Sequence, residues 1–204
     1  MARVSPQGDR LFYSTFFGGS FVNSVTDMAL DDHGSAVAVG STFSDDFPIT
    51  ANALQSQWSG NESGYASRLS LLPTGVRKIG KSAAACLGQI SMGVTKMAES
   101  GDLTFGVTCS GAPPLTSAAL SLGFGEFPGG GLVLPQFTYY IDVFKPVVVF
   151  LDTSDAAGYA EFDLPLPPGT AGIEFFMQYI WINTDACGGL GTLSASNALG
   201  ITVQ

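Results

Sequence analysis

Charge is what this sequence has least of. Only 12% of its 204 residues are Asp, Glu, Lys or Arg, and 8 bases face 17 acids. The resulting formal charge of −9 repels phosphate, which argues against nucleic acid and anionic lipid as partners. The shortage is uneven, since six of the eight bases precede Ala83 while ten of the seventeen acids follow Ser82. Histidine is nearly absent as well. His33 stands alone in the chain, so a Ser-His-Asp or Cys-His arrangement is excluded unless that residue is the base. Its setting, Asp31-Asp32-His33-Gly34, is that of an exposed turn. The three cysteines, Cys86, Cys109 and Cys187, permit one bridge in three alternative ways, and none shows Cys-x-x-Cys spacing for zinc.

Long apolar runs are missing too. A membrane-spanning helix needs roughly 20 mostly apolar residues, and the longest such stretch, residues 173–182, is shorter and contains Glu174 and Gln178. No membrane span is expected. The opening Met-Ala-Arg-Val-Ser-Pro-Gln-Gly-Asp-Arg lacks the apolar core of a signal peptide. The chain as written is therefore expected to be a processed or truncated piece of an exported protein, or else to stay inside. Helical periodicity is absent from every ten-residue stretch.

What the chain does have is apolar material and turn formers. Hydrophobic residues make up 46% of it, with 26 Gly and 11 Pro dispersed along its length, which predicts short strands and tight turns. Residues 11–17 are β-rich, Gly18-Gly19 ends the run, and residues 25–30 and 36–39 flank the Asp31-to-Gly34 turn as a hairpin. Ala2-Arg3-Val4-Ser5-Pro6-Gln7-Gly8 resembles Ala66-Ser67-Arg68-Leu69-Ser70, followed after a short insertion by Pro73-Thr74-Gly75. The first segment thus begins and ends at one point of a repeating unit. Residues 77–85, with Arg77, Lys78 and Lys81, are expected to be a solvated linker. Beyond it, apolar stretches at 89–97, 103–109, 118–124, 137–144, 147–151, 159–164, 173–182 and 193–203 predict a β-sandwich over residues 86–204.

Phe12-Tyr13-Ser14-Thr15-Phe16-Phe17-Gly18-Gly19, Ala29-Leu30-Asp31 with Gly34, Val39-Gly40-Ser41-Thr42 and Asp46-Phe47-Pro48-Ile49-Thr50 occur in that order. Together they resemble one unit of the bacterial SBBP β-propeller repeat, covering about residues 2–76, within a first domain expected over residues 1–76. The resemblance implies a four-stranded blade of a secreted or surface protein, without catalytic residues to transfer. Ser110-Gly111-Ala112-Pro113-Pro114, Leu164-Pro165-Leu166-Pro167 and the strand-like ending at 193–203 resemble a C-terminal domain of exported planctomycete and myxobacterial proteins. The expected fold is accordingly all-β, a single blade-like antiparallel sheet joined to an Ig-like sandwich. The expected role is a non-enzymatic structural or interaction module, extracellular or at the cell surface, that self-associates as a filament or oligomer or pairs with remaining blades. A carbohydrate-binding module is the alternative. For an exported chain, Cys109 and Cys187 are the expected bridge, with Cys86 free or paired between chains.

Candidate chemistry is sparse. Asp27, Asp31, Asp32, Asp45 and Asp46 offer hard oxygens but lack calcium-loop spacing, and turn-forming acids are the expected outcome. Asp142, Asp152, Glu161 and Asp163 lie near strands without defining a catalytic pair. Gly129-Gly130-Gly131 and Gly188-Gly189 precede no helix and no Gly-Lys-Ser/Thr, so they are turns rather than phosphate loops. No cofactor or metal site is expected. One stretch departs from a simple sandwich. Alternation puts Phe175, Met177, Tyr179 and Trp181 on one face of a strand and Phe176, Gln178, Ile180 and Ile182 on the other, so both faces are apolar. Either the glycine-rich loop or the blade segment covers one face, or Phe175, Phe176, Met177, Tyr179, Ile180 and Trp181 form a protein interface. A third option makes Trp181, Tyr139 or Tyr140 a sugar-stacking platform.

Overall fold

The computed structural model of the chain describes residues 1–4, 8, 9, 11–31, 35–85, 87–183 and 192–204. Among these residues the chain is all-β, with no helix and with every strand pair antiparallel. It divides into two units, Met1–Leu71 and Leu72–Gln204.

The N-terminal unit holds a hairpin of β1 (Ala2–Val4) and β2 (Leu11–Ser14) and a meander of β3 (Asn23–Leu30), β4 (Ala36–Thr42) and β5 (Ser63–Leu69). The β3–β4 hairpin agrees with the alternation on either side of the Asp31 turn, whose tip, His33 included, lies outside the described residues. Asn23 anchors the approach to β3. Its Nδ2 donates to the carbonyls of Gly19 and Phe21, while its Oδ1 accepts from Thr42 Oγ1 at 2.7 Å and Ser44 Oγ at 3.2 Å. Gly40 matters for a different reason. A Cβ there would stand 2.0 Å from the Ser24 carbonyl oxygen, the group to which Tyr65 donates its hydroxyl across β4 at 3.0 Å.

The C-terminal unit runs through β6 (Val76–Ile79), β7 (Ala84–Ala85), β8 (Gly88–Gln89), β9 (Ser91–Val94), β10 (Gly106–Ser110), β11 (Ser117–Gly123), β12 (Leu132–Val133), β13 (Thr138–Tyr139), β14 (Val147–Thr153), β15 (Ala160–Asp163), β16 (Glu174–Ile182), β17 (Leu193–Ala195) and β18 (Ala198–Thr202). A six-stranded sheet is ordered β14-β11-β16-β18-β6, with β17 also paired to β16, and a three-stranded sheet is ordered β15-β10-β9. One core joins them. Met92, Val94, Phe105, Val107 and Cys109 meet Leu120, Met177, Tyr179, Trp181, Leu199 and Ile201, all at most 1% exposed.

Two departures from expectation have local causes. Residues 77–79, expected in the linker, belong to the outer strand β6 (Val76–Ile79) of the six-stranded sheet. Val76 lies opposite Ile201 and packs against the main core, while Ile79 lies opposite Ala198 on the other face. The run at 193–203 is split at Ser196 and Asn197. There Ser196 Oγ accepts the Tyr179 N–H at 3.0 Å, and Asn197 Oδ1 accepts the Met92 N–H at 3.0 Å. Side-chain oxygens thus satisfy buried donors where the chain jogs between β17 and β18.

Candidate functional site

The two-faced strand β16 is the natural starting point. Phe175, Met177, Tyr179 and Trp181 face the core between the sheets, and Phe176 and Ile180 face a second cluster with Ile79, Tyr139, Tyr140, Ile141 and Ala198. That cluster is closed by the segment between β11 and β14, which contains the glycine-rich turn and the β12–β13 hairpin. Gln178, fully buried among these apolar groups, holds the cover in place. Its Oε1 accepts the Tyr140 N–H and its Nε2 donates to the carbonyls of Thr138 and Ser196, each at 2.9 Å. Tyr140 is tied further, since its hydroxyl accepts from Lys81 N at 2.9 Å and donates to Lys81 O at 3.1 Å. Gly80 gives its ring room, because a Cβ at that residue would lie 2.0 Å from Tyr140 Cζ.

This corrects the interface expectation. Phe175, Phe176, Met177, Tyr179 and Trp181 are each at most 4% exposed and Ile180 is half-buried, all within their own unit. The hydrophobic strand is consumed by its own covering loop rather than offered to a partner. Trp181, Tyr139 and Tyr140 are equally unable to form a sugar platform, being no more than 8% exposed.

Cys109 is a buried free thiol beside the stacked Tyr179–Trp181 pair, whose ring centroids are 5.1 Å apart. Burial pushes this thiol well above its usual range, and the nearby Trp181 indole offsets that only in part. The indole nitrogen itself has no hydrogen-bond partner. Cys187 and Cys86, the other cysteines of the expected bridging scheme, lie outside the described residues. Burial likewise raises the Tyr179 hydroxyl, reinforced by Asp152, whose Oδ2 accepts its proton at 2.5 Å.

Several other carboxylates have ordinary structural partners. Asp142 accepts the Phe144 N–H, Glu161 accepts the Tyr159 hydroxyl, and Arg77 reaches Glu126 at 2.8 Å and Glu174 at 3.3 Å while lying 5.4 Å from the Phe176 ring centre. Asp31 pairs with Arg68, and Asp46 accepts from both the N–H and the hydroxyl of Ser20. The Ser20 N–H holds the Asp46 carboxyl below the usual carboxylate range. Among the described residues no three His, Cys, Asp or Glu side chains converge to hold a metal. No helix there is long and apolar enough to cross a membrane.

The surface left unsatisfied lies in the N-terminal unit. Apart from the two alanines Ala36 and Ala38, the described residues it buries are Thr42 and Ser44. Val25, Met28 and Leu30 on β3 are 50% exposed or more, and Val37 and Val39 on β4 are also exposed. β3 and β5 are both edge strands of the meander. Beside β5, a cleft of about 970 Å³ is lined by Phe17, Phe47, Ile49, Leu54, Trp58 and Tyr65, among other side chains. Phe47 packs against Phe17 and Tyr65 with centroids at 5.2 and 4.6 Å. These rings meet at 78° and 33° rather than in one plane, so they make a partial core rather than a stacking platform. Sequence alternation missed this surface because β3 reads as an ordinary half-buried strand, and only the pairing shows that it ends the sheet. Neither the family models nor the curated proteins nor the solved structures contain a match to the chain.

Proposed function

We propose that this chain is a non-enzymatic structural module of an extracellular or cell-surface assembly and that it associates with itself through its N-terminal unit. One observation carries the proposal. Among the described residues, the β3-β4-β5 meander has two open edges and an exposed apolar strand, β3, and its strands bury only Ala36, Ala38 and Thr42. Small sheets of this kind need a covering partner to be stable, and open edges add further strands by main-chain hydrogen bonding. The structural partners of Asp142, Asp152 and Glu161 favour a role without catalysis. The resemblance to a surface-protein repeat favours a site outside the cytoplasm.

Multi-angle light scattering of the purified chain, from low to high micromolar concentration, tests the proposal. The expected result is a mass that rises with concentration to multiples of 21.1 kDa. A constant monomer mass across that range would overturn it.

A further inference from the structure

Arg3-Val4-Ser5-Pro6-Gln7-Gly8 and Arg68-Leu69-Ser70 with Pro73-Thr74-Gly75 are two copies of one pattern, the second carrying the inserted Leu71 and Leu72. The fold uses them differently. In the first copy β1 pairs with β2, the strand that follows its turn, with Ala2 opposite Ser14, Arg3 opposite Tyr13 and Val4 opposite Leu11. In the second copy β5 pairs only with β4 among the described residues, because β6, the strand that follows its turn, is hydrogen-bonded to β18. β5 therefore keeps an edge of the kind that β2 already binds, without a strand on that side.

We propose that β2 of one copy of the chain adds to the open edge of β5 in a second copy, exchanging β1 for it. This rests on the self-association proposed above and names the two surfaces involved. Transferring the β1 register places Leu11 opposite Leu69, Tyr13 opposite Arg68 and Ser14 opposite Ser67, and continuing it places Thr15 opposite Ala66 and Phe16 opposite Tyr65. The pairs suit one another. Leu11 and Phe16, 61% and 105% exposed, meet Leu69 and Tyr65 on the face where Tyr65 packs with Phe47, and the Tyr13 ring lies against the Arg68 guanidinium. Met1 and Thr15 exchange both main-chain hydrogen bonds, at 2.8 and 2.9 Å, a role that Ala66 takes over in the transferred register. β5 offers seven residues to the ladder where β1 offers three. Donor strand and acceptor edge are different parts of one chain, so each addition leaves another β5 edge open, and the product is a ring or an open filament.

The test is a cross-link between two separately purified full-length variants, Ser14→Cys and Ser67→Cys. In the transferred register these residues face each other at a pair without mutual main-chain hydrogen bonds, where Cα atoms lie about 4.5 Å apart, within disulfide reach. Under mild oxidation the one-to-one mixture should give a covalent dimer whose 14–67 link is identified by peptide mapping, while neither variant alone gives that link. Light scattering of the same mixture separates the outcomes. Oligomers without the 14–67 link would refute this strand pairing and leave self-association standing, whereas a monomer without the link would refute both. An intramolecular 14–67 link in the doubly substituted chain, with no covalent dimer, would also overturn the proposal by showing that β2 closes on its own β5.

Discussion

The two units of this chain solve the problem of burying a sheet in opposite ways. In the C-terminal unit, Trp181, Tyr179, Phe105, Ile90 and Met92 are all fully enclosed, and a second cluster covers the far side of the larger sheet. In the N-terminal unit the described residues that reach full burial are two alanines, a threonine and a serine. Burying a large apolar side chain contributes about 1.5–3 kcal/mol, so the C-terminal unit assembles its own stability, whereas the N-terminal unit with its open meander has little of that term. The contrast teaches that strand content alone says nothing about self-sufficiency. What decides it is whether the chain carries a segment that returns to cover the exposed face, as the loop pinned by Gln178 does.

The strongest way to break the comparison is to open the enclosed core. Trp181→Ala removes the largest buried side chain and should cost about 3–5 kcal/mol, measured as a drop in the urea midpoint of the C-terminal unit. A loss under about 1 kcal/mol would mean that this core is no tighter than the meander. A second, graded test uses pH. Cys109 and Tyr179 both have raised values in the folded chain, so above the ordinary thiol value of 9.0 the unfolded state releases a proton that the folded state keeps. Stability from this source is complete below that value and falls as pH rises, by at most about 1.4 kcal/mol per pH unit for each group. Tyr179 joins once pH passes its ordinary value of 10.0. Urea midpoints of the C-terminal unit from neutral to alkaline pH should decline in that window, and Cys109→Ala should remove the earlier part of the decline. A flat profile would refute the burial account. The smallest effect is expected in the open unit, where Val39→Lys on the exposed face of β4 should change the monomer's stability by less than about 0.5 kcal/mol. A cost above about 1 kcal/mol, read by the same unfolding assay, would show that something covers this face.

Much of the strand layout was legible in the residues. The apolar stretches at 118–124, 147–151 and 173–182 coincide closely with β11, β14 and β16, because period-2 alternation and β-branched content report a pleated, half-buried surface directly. The stretch at 137–144 yields only the two-residue β13 and the Glu126–Ile141 bridge, since its residues lie across the sheet as a cover rather than within it. The charges of Arg77 and Lys78 suggest a solvated linker, yet the Arg77 guanidinium lies 5.4 Å from the Phe176 ring centre and ends at two glutamates. Its apolar stem and distant charge allow both, and sequence alone does not distinguish them. Sequence pointed both to the lone blade, as a unit awaiting other protein, and to β16 as a second apolar surface; β16 is covered within its own unit, and the exposed edges are those of β3 and β5. Which strand ends a sheet depends on long-range pairing, and in this chain the decisive event is that β6 pairs with β18.

The two tryptophans fall one to each unit. Trp58 is 40% exposed beside the cleft, whereas Trp181 is sealed against Tyr179 and Cys109. Their emission colours should differ for that reason, with the solvated indole to the red and the enclosed one to the blue and dimmed by the neighbouring thiol. The unmodified chain thus carries two built-in optical labels. Light from Trp58 reports whether the open unit becomes covered, and light from Trp181 follows the integrity of the closed one.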